Sequence, residues 1–313
     1  MDGKMLAFVF PGQGSQYAGM GKELCAEFSQ AREVFEQADD ALGEHLSRLC
    51  HEGPEEQLRL TTNTQPAILT TSIAALRVLQ HETGLSPVML AGHSLGEYSA
   101  LVAAGALDFA DAVRIVRQRG SFMQDAVPDG EGAMAAVLGV DAEVLEQICA
   151  EAAKAGGQEE VVTPANFNAP GQIVIAGHAS AVERALELAA ERGARRAMRL
   201  PVSAPFHCPL MLPAGERLRQ ELEQINVNTL SAPVVSNVEA SPYTDSSRTI
   251  DLLVRQVSAP VRWDESVRAM IDNGAERFIE IGPGKVLSGL IKRIERKMPC
   301  ANIEDIKSLK ALV

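Results

Sequence analysis

A chain of 313 residues, 46% hydrophobic and 22% charged, has the composition of an ordinary soluble globular protein. It has the length for one large α/β domain, with or without a smaller insert. Its net charge of −12 argues against a nucleic-acid partner, and its five scattered cysteines, without C-x-x-C spacing, argue against a disulfide framework or a bound metal.

In chain order, the apolar run over residues 5–10 predicts a buried parallel strand. It is too short for a signal core, and no other apolar run reaches membrane-spanning length. A cytoplasmic protein with no membrane partner is therefore expected. The run enters Pro11-Gly12-Gln13-Gly14-Ser15-Gln16. No G-K-[ST] ends this loop, and Tyr17 stands where a dinucleotide fingerprint needs glycine, so both phosphate-binding readings fail. Gln13 and Gln16 remain as neutral hydrogen-bond donors at a strand end, where ligands meet an open α/β sheet. A purely structural turn reads equally well. Residues 21–41 predict one amphipathic helix, 55–60 a further helix, 61–66 a polar loop and 67–82 a long apolar helix.

The sequence then presents its strongest signal. An apolar strand ending at Ala91 leads into Gly92-His93-Ser94-Leu95-Gly96, and a helix-forming run over 97–104 leads out. That is the pattern of a nucleophile elbow, in which glycines two before and two after the serine make room for a sharp turn. The alternative is a tight turn with an ordinary serine. The next predicted helix, 108–125, carries Arg114, Arg117 and Arg119. Such arginines are usually solvated, but one that faces the elbow would grip a carboxylate with two parallel hydrogen bonds.

Pro128-Asp129-Gly130-Glu131-Gly132 marks a boundary. Its resemblance to a dinucleotide motif is discarded because no strand precedes it. Beyond it the predicted order is strand 133–140, helix 142–155, strands 161–166 and 172–176, helix 179–192 and strand 194–202. That β-α-β-β-α-β order is the ferredoxin-like unit. The expected fold is thus α/β, with a large α/β-hydrolase-like domain built on a parallel sheet (1–131 and 201–313). A small ferredoxin-like domain (132–200) is inserted in it, with a cleft between the two.

The chain returns through Pro205-Phe206-His207-Cys208-Pro209, whose prolines fix the backbone around a histidine. Of the six histidines, His45, His51 and His81 lie in polar surroundings and read as surface. His93 should point away from the serine beside it, and His178 reads as a helix cap. His207 is left as a candidate base by elimination. A helix over 213–224, a strand over 233–238 with a polar end, and a helical 250–256 follow. A last strand over 278–281 leads through Gly282-Pro283-Gly284-Lys285 into a basic helix, 287–297.

Several of these pieces occur together in one order. Phe8-Val9-Phe10-Pro11-Gly12-Gln13-Gly14-Ser15-Gln16, Gly92-His93-Ser94-Leu95-Gly96-Glu97 and Gln118-Arg119-Gly120 come first. Asn166-Phe167-Asn168, His207 with its prolines, and Glu280-x-Gly282-Pro283-Gly284 come after. Over nearly the whole chain this resembles the bacterial malonyl-CoA:acyl carrier protein transacylases of fatty acid synthesis. The resemblance implies a serine–histidine S-malonyltransferase with Ser94 as nucleophile and His207 as general base. It implies Arg119 on the malonyl carboxylate and an oxyanion hole from the backbone N–H groups of Leu95 and Gln13. Gln256 and Asn166 match further active-site positions, the histidine is oriented by a backbone carbonyl, and Phe206 crowds branched acyl chains. It implies no metal or redox cofactor, coenzyme A entering only as part of the thioester substrate. Malonyl-CoA and acyl carrier protein are the expected partners of a monomer. The cluster Arg192, Arg195, Arg196, Arg199 and the 287–297 helix offer basic patches to an acidic carrier, or are simply solvated faces. An acyltransferase serving a polyketide synthase would share all these residues. A serine thioesterase would share only the elbow, and a silent scaffold would need none of them.

Overall fold

The computed structural model describes residues 5–155, 160–202 and 204–312. Residues 1–4 and Ser203 of the sequence reading lie outside them. Among the described residues ten strands form: β1 (Leu6–Phe10), β2 (Met89–Gly92), β3 (Gly132–Leu138), β4 (Val162–Ala169), β5 (Gln172–His178), β6 (Arg196–Arg199), β7 (Val234–Val235), β8 (Pro242–Tyr243), β9 (Arg277–Ile281) and β10 (Cys300–Ile303). They divide into a six-stranded sheet, in the order β10-β9-β1-β2-β7-β8, and a four-stranded sheet, β4-β5-β3-β6.

The larger sheet is parallel except for β8, which runs antiparallel at one edge. All five residues of β1 are buried, as an unbroken apolar strand covered on both faces requires. The Thr61–Thr83 helix packs in this body, buried along most of its length. Here the structure corrects the reading of 61–66 as a loop, because the polar side chains that suggested one are used locally. Thr64 Oγ1 donates to the Leu58 carbonyl at 2.6 Å and Asn63 Nδ2 to that of Gln57 at 2.9 Å. Pro66 lies early in the helix, where its missing N–H deprives one carbonyl only.

The single helix expected over 21–41 is two, Lys22–Glu27 and Ser29–Leu42, because Phe28 takes extended dihedrals to pack on the core. Strand β9 is not the last. β10 follows, then the Ile306–Leu312 helix, and the Trp263–Asp272 helix also lacked a reading from sequence.

The smaller sheet is antiparallel throughout. Counted from β3, its strands lie in the order 2-3-1-4, the ferredoxin-like arrangement. Alternate residues Ala133, Ala135 and Val137 of β3 share an apolar cluster with the Ala142–Lys154 and Ala179–Glu191 helices. This sheet is fastened to the larger body along β4. Phe167 N–H donates to the Val261 carbonyl and Val261 N–H to that of Ala165, both at 2.9 Å.

Candidate active site

Ser94 stands between β2 and the Gly96–Ala103 helix with φ of 50°, in the left-handed region that a side chain normally avoids. The neighbouring glycines are sterically obligatory. A Cβ on Gly92 would meet the Gly96 carbonyl group at 1.9 Å, and one on Gly96 would meet the Phe10 carbonyl oxygen at 2.1 Å. Backbone cannot yield as a side-chain tip does, so Gly96→Ala should lower stability by about 3 kcal/mol. Thermal unfolding checks it.

Long-range amides hold the turn. Ser94 N–H donates to Asn237 Oδ1 at 2.7 Å, and Asn237 Nδ2 donates to the Gly92 carbonyl at 2.7 Å. Gln256 Nε2 donates to the Ser94 carbonyl at 2.9 Å. Asn237 is the polar end of the 233–238 run.

His207 also has positive φ, 60°, between its two prolines. Its Nε2 lies 2.7 Å from Ser94 Oγ, and its Nδ1 lies 2.8 Å from the backbone carbonyl of Gln256. A carbonyl only accepts, so Nδ1 carries the proton and Nε2 is the lone pair facing the hydroxyl. Burial, and then the nearby Arg119 charge, push the imidazole down to about 3, so it rests neutral. Ser94 acylation should therefore stay level as pH falls through the usual histidine value of about 6.5. It should decline only toward about 3. Rapid-mixing rates against pH test this, and an acid limb near 6.5 would contradict it.

Arg119 is buried, 2% exposed. Nη1 donates to Gln65 Oε1 at 2.7 Å, and Nη2 donates to Gln256 Oε1 at 2.9 Å and to Ser94 Oγ at 3.1 Å. The guanidinium carbon lies 5.5 Å from the centroid of the Tyr98 ring. Arg114 and Arg117 instead pair with Asp111 and Glu44 on the outside. Among the described residues Arg119 has no carboxylate within ion-pair distance, the buried Glu97 acting on it only from beyond contact, and its direct partners are neutral amides and a hydroxyl. Such a buried cation is incomplete until an anion joins it.

Ser94, His207 and Arg119 border a cavity of about 120 Å³, together with Gln13, Leu95, Asn166 and Phe206. Met123, Met134 and Val202 supply apolar wall. The Gln13 side chain turns away to Thr61 Oγ1, 3.3 Å distant. The backbone N–H groups of Gln13 and Leu95 have no acceptor among the described residues. Gln256 lies behind Arg119, fully buried, and holds other groups without bordering the cavity. The sequence reading missed Gln65, hidden in the supposed loop, and Asn237.

The other histidines divide differently from expectation. His93 turns its Nε2 to Asn168 Oδ1, at 2.8 Å, while still lining the cavity. His178 makes no side-chain cap. Its Nδ1 accepts from Val161 N–H at 2.8 Å instead. His51 is only partly exposed, its ring packing on Phe35 with centroids 4.8 Å apart. Only His45 and His81 are exposed.

Comparison with known proteins shows the family. Residues 7–310 match the family model described as the acyl transferase domain. The chain belongs to the acyl transferase domain family. Among relatives of this acyl transferase, a malonyl CoA-acyl carrier protein transacylase of Escherichia coli K12 is 50% identical, over 97% of both chains. One of Bacillus subtilis 168 is 51% identical, over 98% of this chain and 96% of the relative. The solved structure of the transacylase from Coxiella burnetii superposes with a TM-score of 0.96 at 44% identity, covering 99% and 97% of the two chains. A type II PKS acyl carrier protein in complex with its malonyl-transacylase gives 0.95 at 46% identity, covering 98% of each. Among the described residues of this acyl transferase, no group of three or more His, Cys, Asp or Glu is placed to hold a metal ion. Among the same residues, no helix is long and apolar enough to cross a membrane.

Proposed function

We propose that this acyl transferase moves a malonyl group from coenzyme A to the phosphopantetheine thiol of an acyl carrier protein, through a malonyl ester on Ser94. The observation that carries the reading is Arg119, a buried guanidinium beside the serine with only neutral partners. Of simple acyl groups, a malonyl brings the carboxylate that completes it.

Ser94 Oγ attacks the thioester carbonyl while His207 Nε2 takes the hydroxyl proton. The N–H groups of Leu95 and Gln13 receive the developing oxyanion. The carbon–sulfur bond then breaks, and His207 returns the proton to the departing thiolate. A carrier thiol repeats these steps in reverse, giving up its proton to His207 as it attacks and releasing Ser94. Arg119 fixes the acyl group throughout, which favours the incoming thiol over water.

A wider cleft of about 590 Å³ borders the inner cavity and shares Gln13, Leu200 and Val202 with it. We assign it to the pantetheine arm; Arg59 and Arg199 line it, each already paired with a glutamate, Glu55 and Glu183. Of the basic patches, Arg192 pairs with Glu151 and Arg199 with Glu183, leaving Arg195, Arg196 and the Val286–Ile294 helix as the stronger attraction for an acidic carrier. We propose a monomer as the working unit, acting in the cytoplasm.

Intact mass after brief incubation with malonyl-CoA tests the reading. A malonyl adduct should form and move to the carrier thiol when carrier is added. An adduct that decays equally fast without carrier would mark a thioesterase. The likeness to the type II PKS complex supports a second carrier class. Comparing transfer rates to fatty-acid and polyketide carriers separates the two.

A further inference from the structure

Glu97 takes no part in the chemistry described so far, yet it is a fully buried acid three residues after the nucleophile. Its Oε2 accepts from Gln256 Nε2 at 2.7 Å and from Asn237 N–H at 3.1 Å. Its Oε1 is buried and has no partner among the described residues. A buried carboxyl without a contacting cation is costly, and burial pushes this one up to about 7. A proton on Oε1 leaves Oε2 an acceptor, so the same two bonds persist in either charge state.

The two groups that Glu97 holds are the ones that organise the site. Gln256 touches all three central residues. Its backbone carbonyl accepts from His207 Nδ1–H, its Nε2 donates to the Ser94 carbonyl, and its Oε1 accepts from Arg119 Nη2. Asn237 holds the elbow backbone on both sides of His93. A glutamine amide is nearly symmetrical in shape and reverses readily unless its partners distinguish oxygen from nitrogen. Reversed here, Gln256 would turn its NH2 toward a guanidinium and its oxygen toward a carbonyl. Glu97 Oε2, a further acceptor for that NH2, reinforces the orientation that Arg119 and the Ser94 carbonyl favour.

We propose that Glu97 is a positioning residue for acyl transfer, acting through the Gln256 amide to keep Arg119 aimed at the substrate carboxylate. The inference rests on the malonyl reading of Arg119.

The test is the ratio of malonyl to acetyl transfer, because acetyl has no carboxylate for Arg119 to hold. Glu97→Asp retains a carboxyl but withdraws it by about 1.5 Å, out of reach of Gln256. Its ratio should fall about tenfold or more, with the melting temperature measured alongside. Glu97→Gln keeps an oxygen acceptor in place and should hold the ratio within about threefold. Gln256→Met leaves Glu97 intact and removes the amide, so its ratio should fall as in Glu97→Asp. That variant decides the matter if Glu97→Asp does not fold. An unchanged ratio in Glu97→Asp or in Gln256→Met would overturn the proposal. So would a loss in Glu97→Gln equal to that in Glu97→Asp, since charge would then matter and acceptor geometry would not. Arg119→Ala is the control for the underlying reading. If it alone collapses the ratio, only the role of Glu97 fails. If it leaves the ratio unchanged, the malonyl reading itself fails.

Discussion

Ser94→Ala should form no malonyl adduct, and its turnover should fall by roughly 10⁵-fold or more, as loss of a nucleophile acting in concert with its base does elsewhere. The residual rate would come from substrate binding and the oxyanion donors alone. The substitution is small and leaves the elbow's scaffold intact. Asn237 and Gln256 contact the backbone of residue 94, not its hydroxyl. The melting temperature should therefore change little while activity disappears. Both quantities come from the same purified protein, and an adduct surviving in Ser94→Ala would place the nucleophile elsewhere.

Arg119→Ala should reduce malonyl transfer by about 10²–10³-fold, the range for a charge-assisted, two-pronged bond in a dry site. Acetyl transfer should fall by about tenfold or less, because acetyl makes no such bond. Some loss is expected with either substrate. The guanidinium also donates to Ser94 Oγ, and its removal leaves the oxygens of Gln65 and Gln256 without a donor inside the protein. Competition between malonyl-CoA and acetyl-CoA for one carrier measures the difference directly. Equal losses would remove the clamp.

What sequence reading recovers here follows the range of the interactions involved. The elbow is legible because its steric demand is local, with two glycines and a serine within five residues, flanked by a strand and a helix. The small sheet is legible because alternation and helix periodicity change over in a regular order. Gln65 is lost because threonines and asparagine resemble a loop until their tertiary partners are known. Asn237 is lost because it meets Ser94 across 143 residues of chain. Glu97 stands inside the most conspicuous motif, but nothing local says that its carboxyl turns inward to Gln256. The elements after 260 are short, and four-residue β10 has an asparagine in it. Such strands form because the sheet edge receives them.

The backbone pairing of β4 with Val261 constrains how the two bodies can move. Sliding the small sheet would break those hydrogen bonds, whereas turning it about β4 need not. Displacement in such a turn increases across β5 and β3 and is greatest at β6 and the residues after it. Leu200 and Val202, which border both the inner cavity and the outer cleft, lie at that distant end. A turn of that kind would leave the cavity wall beside Asn166 in place and shift the one opposite. A few degrees of rotation would change the cavity's width on the side of Leu200 and Val202, where it opens to the outer cleft.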